Sequence, residues 1–461
     1  MTEHTFRPYT IKDKALKQFD KQIKTIRNST TNHDVVLKAY IKLNQYLRPS
    51  DTKVLFITAT AQAEANYYLI WQLIKINEQD IQKIVIISTD FSRKRGFVGQ
   101  LKSLLSLPPF SLDANLVTEL HIPNGKEETD INFIKNIIID WIFTHHPKEI
   151  IFNITGGTKL ISIAQDQVAT LSPLYYCAYQ SRASNQLIWY NRAYKSKQVE
   201  QLVLPEDIST RLKARGYIKQ GGTSVLNTLD ARDYVSVIHE YLQQDFEKTQ
   251  SFISFMNYLC HVKVNEEINS KSMANRQESI FPISIKLNYN EVSRYDDYLS
   301  SLSAVDQPYL EYHSEGSKLV IKSEKAVQFL GGEWFEVLVA YFIFLHFSSQ
   351  KQQVDVQIGL TFSKNSNGNE VDVAYLESNG YFSFLECKTV NWKNNNSPTT
   401  TVNEKLHKLA SIASVAGLNS HVYFVSLYGL TPQSMQVAKE LNIRIIQGKQ
   451  LLNFTDSLIK I

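Results

Sequence analysis

Three apolar runs constrain this chain more than any other feature: Val54-Leu55-Phe56-Ile57, Ile84-Val85-Ile86-Ile87 and Ile150-Ile151-Phe152. None alternates with polar residues, so the strands they form are buried on both faces, as in a parallel sheet covered by helices. Each run ends in a polar loop, and patterns of helical period over 64–76, 133–143 and 160–171 separate or follow the runs. That alternation predicts an α/β domain. In such sheets, ligands bind where loops leave the carboxyl ends of the strands.

The third loop, Asn153-Ile154-Thr155-Gly156-Gly157-Thr158-Lys159, carries chemistry. Two glycines ahead of a helix let backbone amides turn toward an anion. The helix N-terminus adds positive potential and Lys159 adds a formal charge. It is not a Walker A loop, because the Gly-Lys-Ser/Thr order and the upstream glycine are missing. The plainer alternative is a strand-to-helix turn that merely needs glycine. The threonines and lysine crowded around the turn favour phosphate or ribose.

This loop, following a strand, resembles the hallmark of CARF domains, the CRISPR-associated Rossmann-like sensors of cyclic oligoadenylates. Gln62 and Asn66 stand where that group has a glutamine and an asparagine opening the first helix. Ala63 and Ala65 depart from it, since relatives often carry prolines there. The resemblance implies that Thr60, Gln62, Asn66, Thr155, Gly156, Gly157, Thr158 and Lys159 bind the activator. A ring of four like nucleotides, cyclic tetra-adenylate, matches two copies of one pocket and so implies a homodimer.

A second pattern lies nearer the C-terminus. Asn369-Glu370-Val371-Asp372-Val373 and Phe384-Leu385-Glu386-Cys387-Lys388-Thr389 read as two strands joined by a turn at Glu377-Ser378-Asn379-Gly380. Glu386 and Lys388 are two apart and share a strand face. Two acids and such a lysine can hold a divalent cation and position a water, and hard oxygen ligands favour magnesium or manganese. On an exposed strand, Glu-x-Lys is otherwise a solvated ion pair. Glu333 and Glu336 open an apolar helix reaching about residue 347, where a carboxylate also simply complements the helix dipole.

The order helix-Glu, strand-Asp, strand-Glu-x-Lys resembles the PD-(D/E)xK restriction-endonuclease-like nucleases. That resemblance implies Asp372 and Glu386 as ligands of Mn²⁺ or Mg²⁺, helped by the carbonyl of Cys387. It implies Lys388 as the group that orients or activates water, and Glu336 as a supporting acid with Glu333 in reserve.

The chain therefore divides into a helical extension (1–50, helices over 14–26 and 35–47), a Rossmann-like CARF domain (51–205), a small α+β connector of winged-helix-like kind (206–325) and an α/β restriction-endonuclease-like domain (326–461). Within the connector, 231–242 and 246–259 read as helices, 265–281 as a polar loop, and 309–322 as a hairpin about Gly316. Residues 391–401 read as a polar loop and 404–416 as a helix whose Lys405 and Lys408 are candidates for phosphate contact. A net charge of +4 over 461 residues does not by itself imply nucleic acid, and Ser92-Arg93-Lys94-Arg95 is dense only locally. Cys177, Cys260 and Cys387 are too few and scattered for a disulfide framework or zinc site. The first residues lack a signal-peptide profile, and the apolar stretch 337–347 is too short to span a bilayer, so a cytoplasmic chain with no membrane partner is expected.

Taken together, the chain resembles CRISPR ancillary nucleases activated by cyclic tetra-adenylate. The implied activity is metal-dependent cleavage of single-stranded DNA, single-stranded RNA or both, with nicking of supercoiled DNA. No base-reading motif is present, so recognition should rest on phosphates. A non-catalytic nucleotide-sensing DNA-binding regulator is the alternative, which the intact Asp372, Glu386 and Lys388 argue against. A nucleotide-dependent small-molecule enzyme would rest on the glycine turn alone.

Overall fold

The computed structural model describes residues 52–459, apart from 62, 124, 126–128, 182–183, 206, 275–280, 307–308, 365–366, 379, 392–397 and 417–419. The expected helices over 14–26 and 35–47 and the candidate Gln62 lie outside the described residues. The chain groups into two units, Met1–Pro205 with Lys213–Gly216, and Glu206–Leu212 with Tyr217–Ile461.

In the first unit, β1 (Lys53–Thr58), β2 (Lys83–Thr89), β3 (Val117–Ile122), β4 (Glu149–Asn153), β5 (Tyr175–Ser181), β6 (Gln186–Asn191) and β7 (Ser196–Gln201) make one sheet, ordered β3-β2-β1-β4-β5-β6-β7. The first five in that order are parallel, and β6 and β7 continue antiparallel. Successive side chains of β1 feed two separate cores. Leu55 and Ile57 pack with Tyr67 and Ile70 of the Glu64–Trp71 helix and with Leu101 and Leu105. Val54 and Phe56 pack with Ile134, Ile138 and Ile142 of the Ile131–His145 helix and with Ile161 and Val168. Each such buried side chain contributes roughly 1.5–3 kcal/mol. The chain order reverses between β1 and β4, so the crevice predicted for ligands lies between the ends of those two strands. Sequence reading misses β3, whose Thr118, Glu119 and His121 interrupt any apolar run, and β5.

In the second unit, β8 (Ile218–Ser224) precedes a three-stranded antiparallel sheet made of β9 (Ile283–Lys286), β10 (Leu310–His313) and β11 (Lys318–Ile321). The main sheet comprises β8, β12 (Val354–Lys364), β13 (Asn367–Glu377), β14 (Phe382–Lys388), β15 (Ser420–Ser426) and β16 (Arg444–Gln447), ordered β16-β15-β14-β13-β12-β8. β8 to β14 pair antiparallel, whereas β14, β15 and β16 pair parallel. The expected β13–β14 turn is present, with Gly380 N donating to Glu377 O at 2.8 Å.

Several expectations are corrected here. The stretch 206–325 packs with the nuclease domain: β8 is a strand of the main sheet, and Tyr234, Phe252, Leu299 and Ile321 share one core with Val373 and Leu385. Ile208 and Leu212 pack on the other face of the sheet with Phe362 and Phe384. The segment expected as polar loop over 265–281 opens as a helix, Val264–Ala274. The helix expected from 404 begins earlier, as Pro398–Ala416. The helical run Glu324–Ser349 is 26 residues long and holds an 18-residue stretch of mean hydropathy 1.3, enough by length and composition to cross a membrane, unlike the shorter stretch read from sequence. Trp334, Phe335, Leu338, Val339 and Ile343 bury it in the core instead. All three cysteines are free and buried.

Candidate functional site

The register of β13 and β14 runs from Leu376–Phe382 to Val373–Leu385. Just beyond it, a side chain takes over from the backbone: Asp372 Oδ2 accepts from Cys387 N at 2.7 Å. The same oxygen accepts from Lys388 Nζ at 2.8 Å, and Glu386 Oε1 lies 2.8 Å from that ammonium. Lys388 Nζ also donates to Cys387 O at 3.0 Å. Leu385 and Cys387 face the helical core, and the strand period turns Glu386 and Lys388 the other way. Parallel β15 backs β14 along its whole length, pairing Glu386 with Phe424 and Lys388 with Ser426, and so holds the short charged end straight.

The electrostatics follow from that crowding. Burial disfavours the Lys388 charge, but Asp372 and then Glu386 outweigh it, and its pKa is raised. Glu336, on the Trp334–Ser349 helix, makes no hydrogen bond or ion pair among the described residues. Burial, reinforced by Asp372, pushes its carboxyl up to about 9. Burial also raises Glu333, which Lys325 partly offsets. The structure thus brings Asp372, Glu386, Cys387 and Lys388 into direct contact and leaves Glu336 coupled to them through space.

No group of three or more His, Cys, Asp or Glu side chains suited to a metal ion occurs among the described residues. The donor set still fits a hard cation. Asp372 Oδ2, Glu386 Oε1 and Cys387 O converge on one positive charge, the Lys388 ammonium, at 2.8–3.0 Å.

In the first unit, the glycine turn is assembled from neutral groups. Asn66 Nδ2 donates to Thr58 O at 2.8 Å, and Asn66 Oδ1 accepts from Asn153 Nδ2 at 2.8 Å. Asn153 Oδ1 accepts from Thr155 N, and Thr155 Oγ1 accepts from Gln180 N. Asn66 is 1% exposed and is a strut tying β1 to β4. Thr158 caps the Lys159–Ala169 helix through Ile161 N. Gly157 has φ +95°, and an added Cβ would lie 2.8 Å from Thr58 Cγ2. Gly156 faces Thr60, while Gly157 and Lys159 are exposed. Asn153 and Gln180 were missed as positioning residues; the polar end of β4 was the signal for Asn153, whereas Gln180 lies on β5, which sequence reading misses. Also missed was a cluster at the ends of β2 and β3, where Glu119 accepts from Ser88 and Arg93, and His121 Nε2 lies 3.0 Å from Asp90.

A doubly covered parallel sheet with a glycine turn at its reversal point, and a mixed sheet ending in Glu-x-Lys opposite an aspartate, together describe a CARF-domain nuclease. The comparisons agree: residues 62–206 match the family described as the Card1 CARF domain, and residues 323–460 match the Card1-like endonuclease domain. The chain belongs to the CARF-domain nucleases of this Card1 type. Its fold is similar to that of protein VC1899 from Vibrio cholerae, with a TM-score of 0.66 at 17% identity, covering 88% of this chain and 97% of that one. It is also similar to Can2 from Sulfobacillus thermosulfidooxidans, described in complex with cyclic tetra-adenylate, with a TM-score of 0.61 at 18% identity over 89% and 99%. Among curated proteins none matches this chain.

Proposed function

We propose that this chain is a metal-dependent nuclease of type III CRISPR antiviral defence, switched on by cyclic tetra-adenylate, which cuts single-stranded DNA, RNA or both and nicks supercoiled DNA. The observation that carries the reading is the meeting of three oxygens, from Asp372, Glu386 and the Cys387 carbonyl, around one cation. Those oxygens would hold Mn²⁺ or Mg²⁺. When bound, the ion supplies Lewis-acid polarisation of the scissile phosphate and a more acidic water.

The chain's own groups do the rest. Lys388 has a raised pKa in the metal-free protein and keeps its proton there. It orients water and offsets charge growing on the phosphorane. Glu336 carries a proton at neutral pH in the metal-free protein and can donate one hydrogen bond into the site. In the sensor, the Gly156–Lys159 turn offers backbone amides and one exposed ammonium to ribose and phosphate. The ring that Can2 holds is the activator assigned here, bound across a homodimer in the cytoplasm.

The test uses the full chain with labelled single-stranded DNA and RNA, omitting cyclic tetra-adenylate or Mn²⁺ in turn. Cleavage only with both is expected. No cleavage of either strand with both present, or cleavage indifferent to the activator, overturns the reading. Calorimetry should give one ring per two chains, and one ring per chain would refute the shared pocket.

A further inference from the structure

Next to the catalytic strand, within the second unit, a cavity of about 500 Å³ opens among Gln250, Ser251, Ser254, Arg294, Tyr295 and Tyr428. None of Asp372, Glu386, Lys388 and Glu336 lines it, but Asn391, three residues beyond Lys388, does. Three residues of extended chain span at most about 11 Å, so the cavity lies within reach of a strand bound at the catalytic lysine.

Its walls are tied to the end of β14. Lys388 O accepts from Leu427 N at 2.9 Å, and Leu427 O accepts from Gln250 Nε2 at 2.6 Å. Tyr428 Oη donates to Gln250 O and meets Ser254 Oγ, while Asn257 Nδ2 donates to Thr389 O at 3.1 Å. A pocket braced in this way holds its shape relative to the catalytic groups.

The chemistry of the lining suits a nucleotide. Arg294 is exposed, lies over the Tyr295 ring at 5.2 Å, and pairs with no carboxylate among the described residues. Tyr295 is itself held by stacking on Phe255 at 4.9 Å. Glu247, the acid among the lining residues, is matched by Lys449 at 3.0 Å. An arginine fixed over an aromatic ring, with its charge unspent, is a ready partner for phosphate. The remaining wall offers hydroxyls and amides, which take sugar and base edges without selecting a sequence. The volume is near the small end of ligand pockets and admits a single nucleotide, not a duplex.

We propose that this cavity is a subsite for one nucleotide of the substrate strand adjacent to the scissile phosphate, with Arg294 pairing that nucleotide's phosphate. The proposal rests on the nuclease reading and sharpens it: preference for single strands comes from a pocket that only a flexible strand can enter.

The test compares full-length wild type, Arg294→Ala and Arg294→Lys with cyclic tetra-adenylate, Mn²⁺ and single-stranded oligonucleotides over a range of salt. Arg294→Ala should raise KM about tenfold with kcat retained. The slope of log KM against log salt should fall by about 0.7, the value for one phosphate on a single strand, and Arg294→Lys should restore that slope. Ser251→Trp, which fills the cavity from another wall, should also raise KM. Wild-type KM and slope in Arg294→Ala overturn the subsite. Binding of the same oligonucleotide to Glu386→Gln, with and without Arg294→Ala, separates the two claims. Weaker binding in the double variant supports the subsite even without turnover, and equal binding refutes it. Absence of cleavage by the wild type counts against the nuclease reading alone.

Discussion

The turn that follows β4 and the strand end that closes β14 both place polar residues at the edge of a hydrophobic sheet, yet they are built by opposite means. Around Gly157, the groups are neutral and satisfy one another: Asn66, Asn153, Thr155 and Thr158 each have a backbone or amide partner. Around Lys388, the groups are charged, partly buried and mutually perturbing, and Glu336 is held protonated by burial and by Asp372. A site that binds a ligand and releases it unchanged gains from a cradle already shaped, since little must reorganise on binding. A site that cuts a phosphodiester must answer a change in charge, and only ionised groups in a restricted dielectric do so strongly.

The most severe way to break this contrast is at the charges. Glu386→Gln or Asp372→Asn should lower activated cleavage by about 10²–10³-fold or more, while calorimetric affinity for cyclic tetra-adenylate stays at the wild-type value. Wild-type cutting by both variants would mean that the strand end is not the catalytic site.

Gly157→Ala attacks the neutral cradle. Its φ of +95° and the approach to Thr58 force either the turn or β1 to shift, at a cost of about 1–3 kcal/mol. Activator affinity should fall by about tenfold or more, with the cleavage rate recovered at saturating activator. A variant with unchanged affinity and unchanged melting temperature would show that the turn has slack the geometry denies.

The smallest effect sharpens the comparison from outside both sites. His421, stacked on Tyr381 at 4.9 Å on β15, has its pKa lowered to about 4 by burial and then by Arg444. The unfolded chain takes up this proton near pH 6.5 and the folded chain only near 4. Stability should therefore be full above pH 6.5 and decline as pH falls to 4, by on the order of 1 kcal/mol once screening at this partly buried ring is allowed for. His421→Phe keeps the stacked ring and should flatten that part of the urea-denaturation profile. Superimposable profiles for the two proteins would remove His421 from the account.

Local patterns sufficed for the elements whose chemistry is local. Val54 to Ile57 could only be a strand buried on both sides, and the glycine pair before Thr158 could only turn the chain tightly into a helix. The i+2 spacing of Glu386 and Lys388 puts them on one face wherever the strand runs. Pairing across long separations is not written in such patterns. Short and largely exposed, β8 has no apolar face to announce it, and its place is decided by β12. Whether Asn66 meets ligand or protein depended on where Asn153, 87 residues away, would stand. Whether Glu336 keeps its proton depended on the burial of its helix and on the distance to Asp372, and the Arg294 cavity required helices from 246 and 289 to close on the end of β14. Hydrophobic period and backbone sterics act between near neighbours and can be read along the chain. Desolvation, charge coupling and hydrogen-bond satisfaction act between whichever groups the fold brings together, so only the tertiary structure decided them.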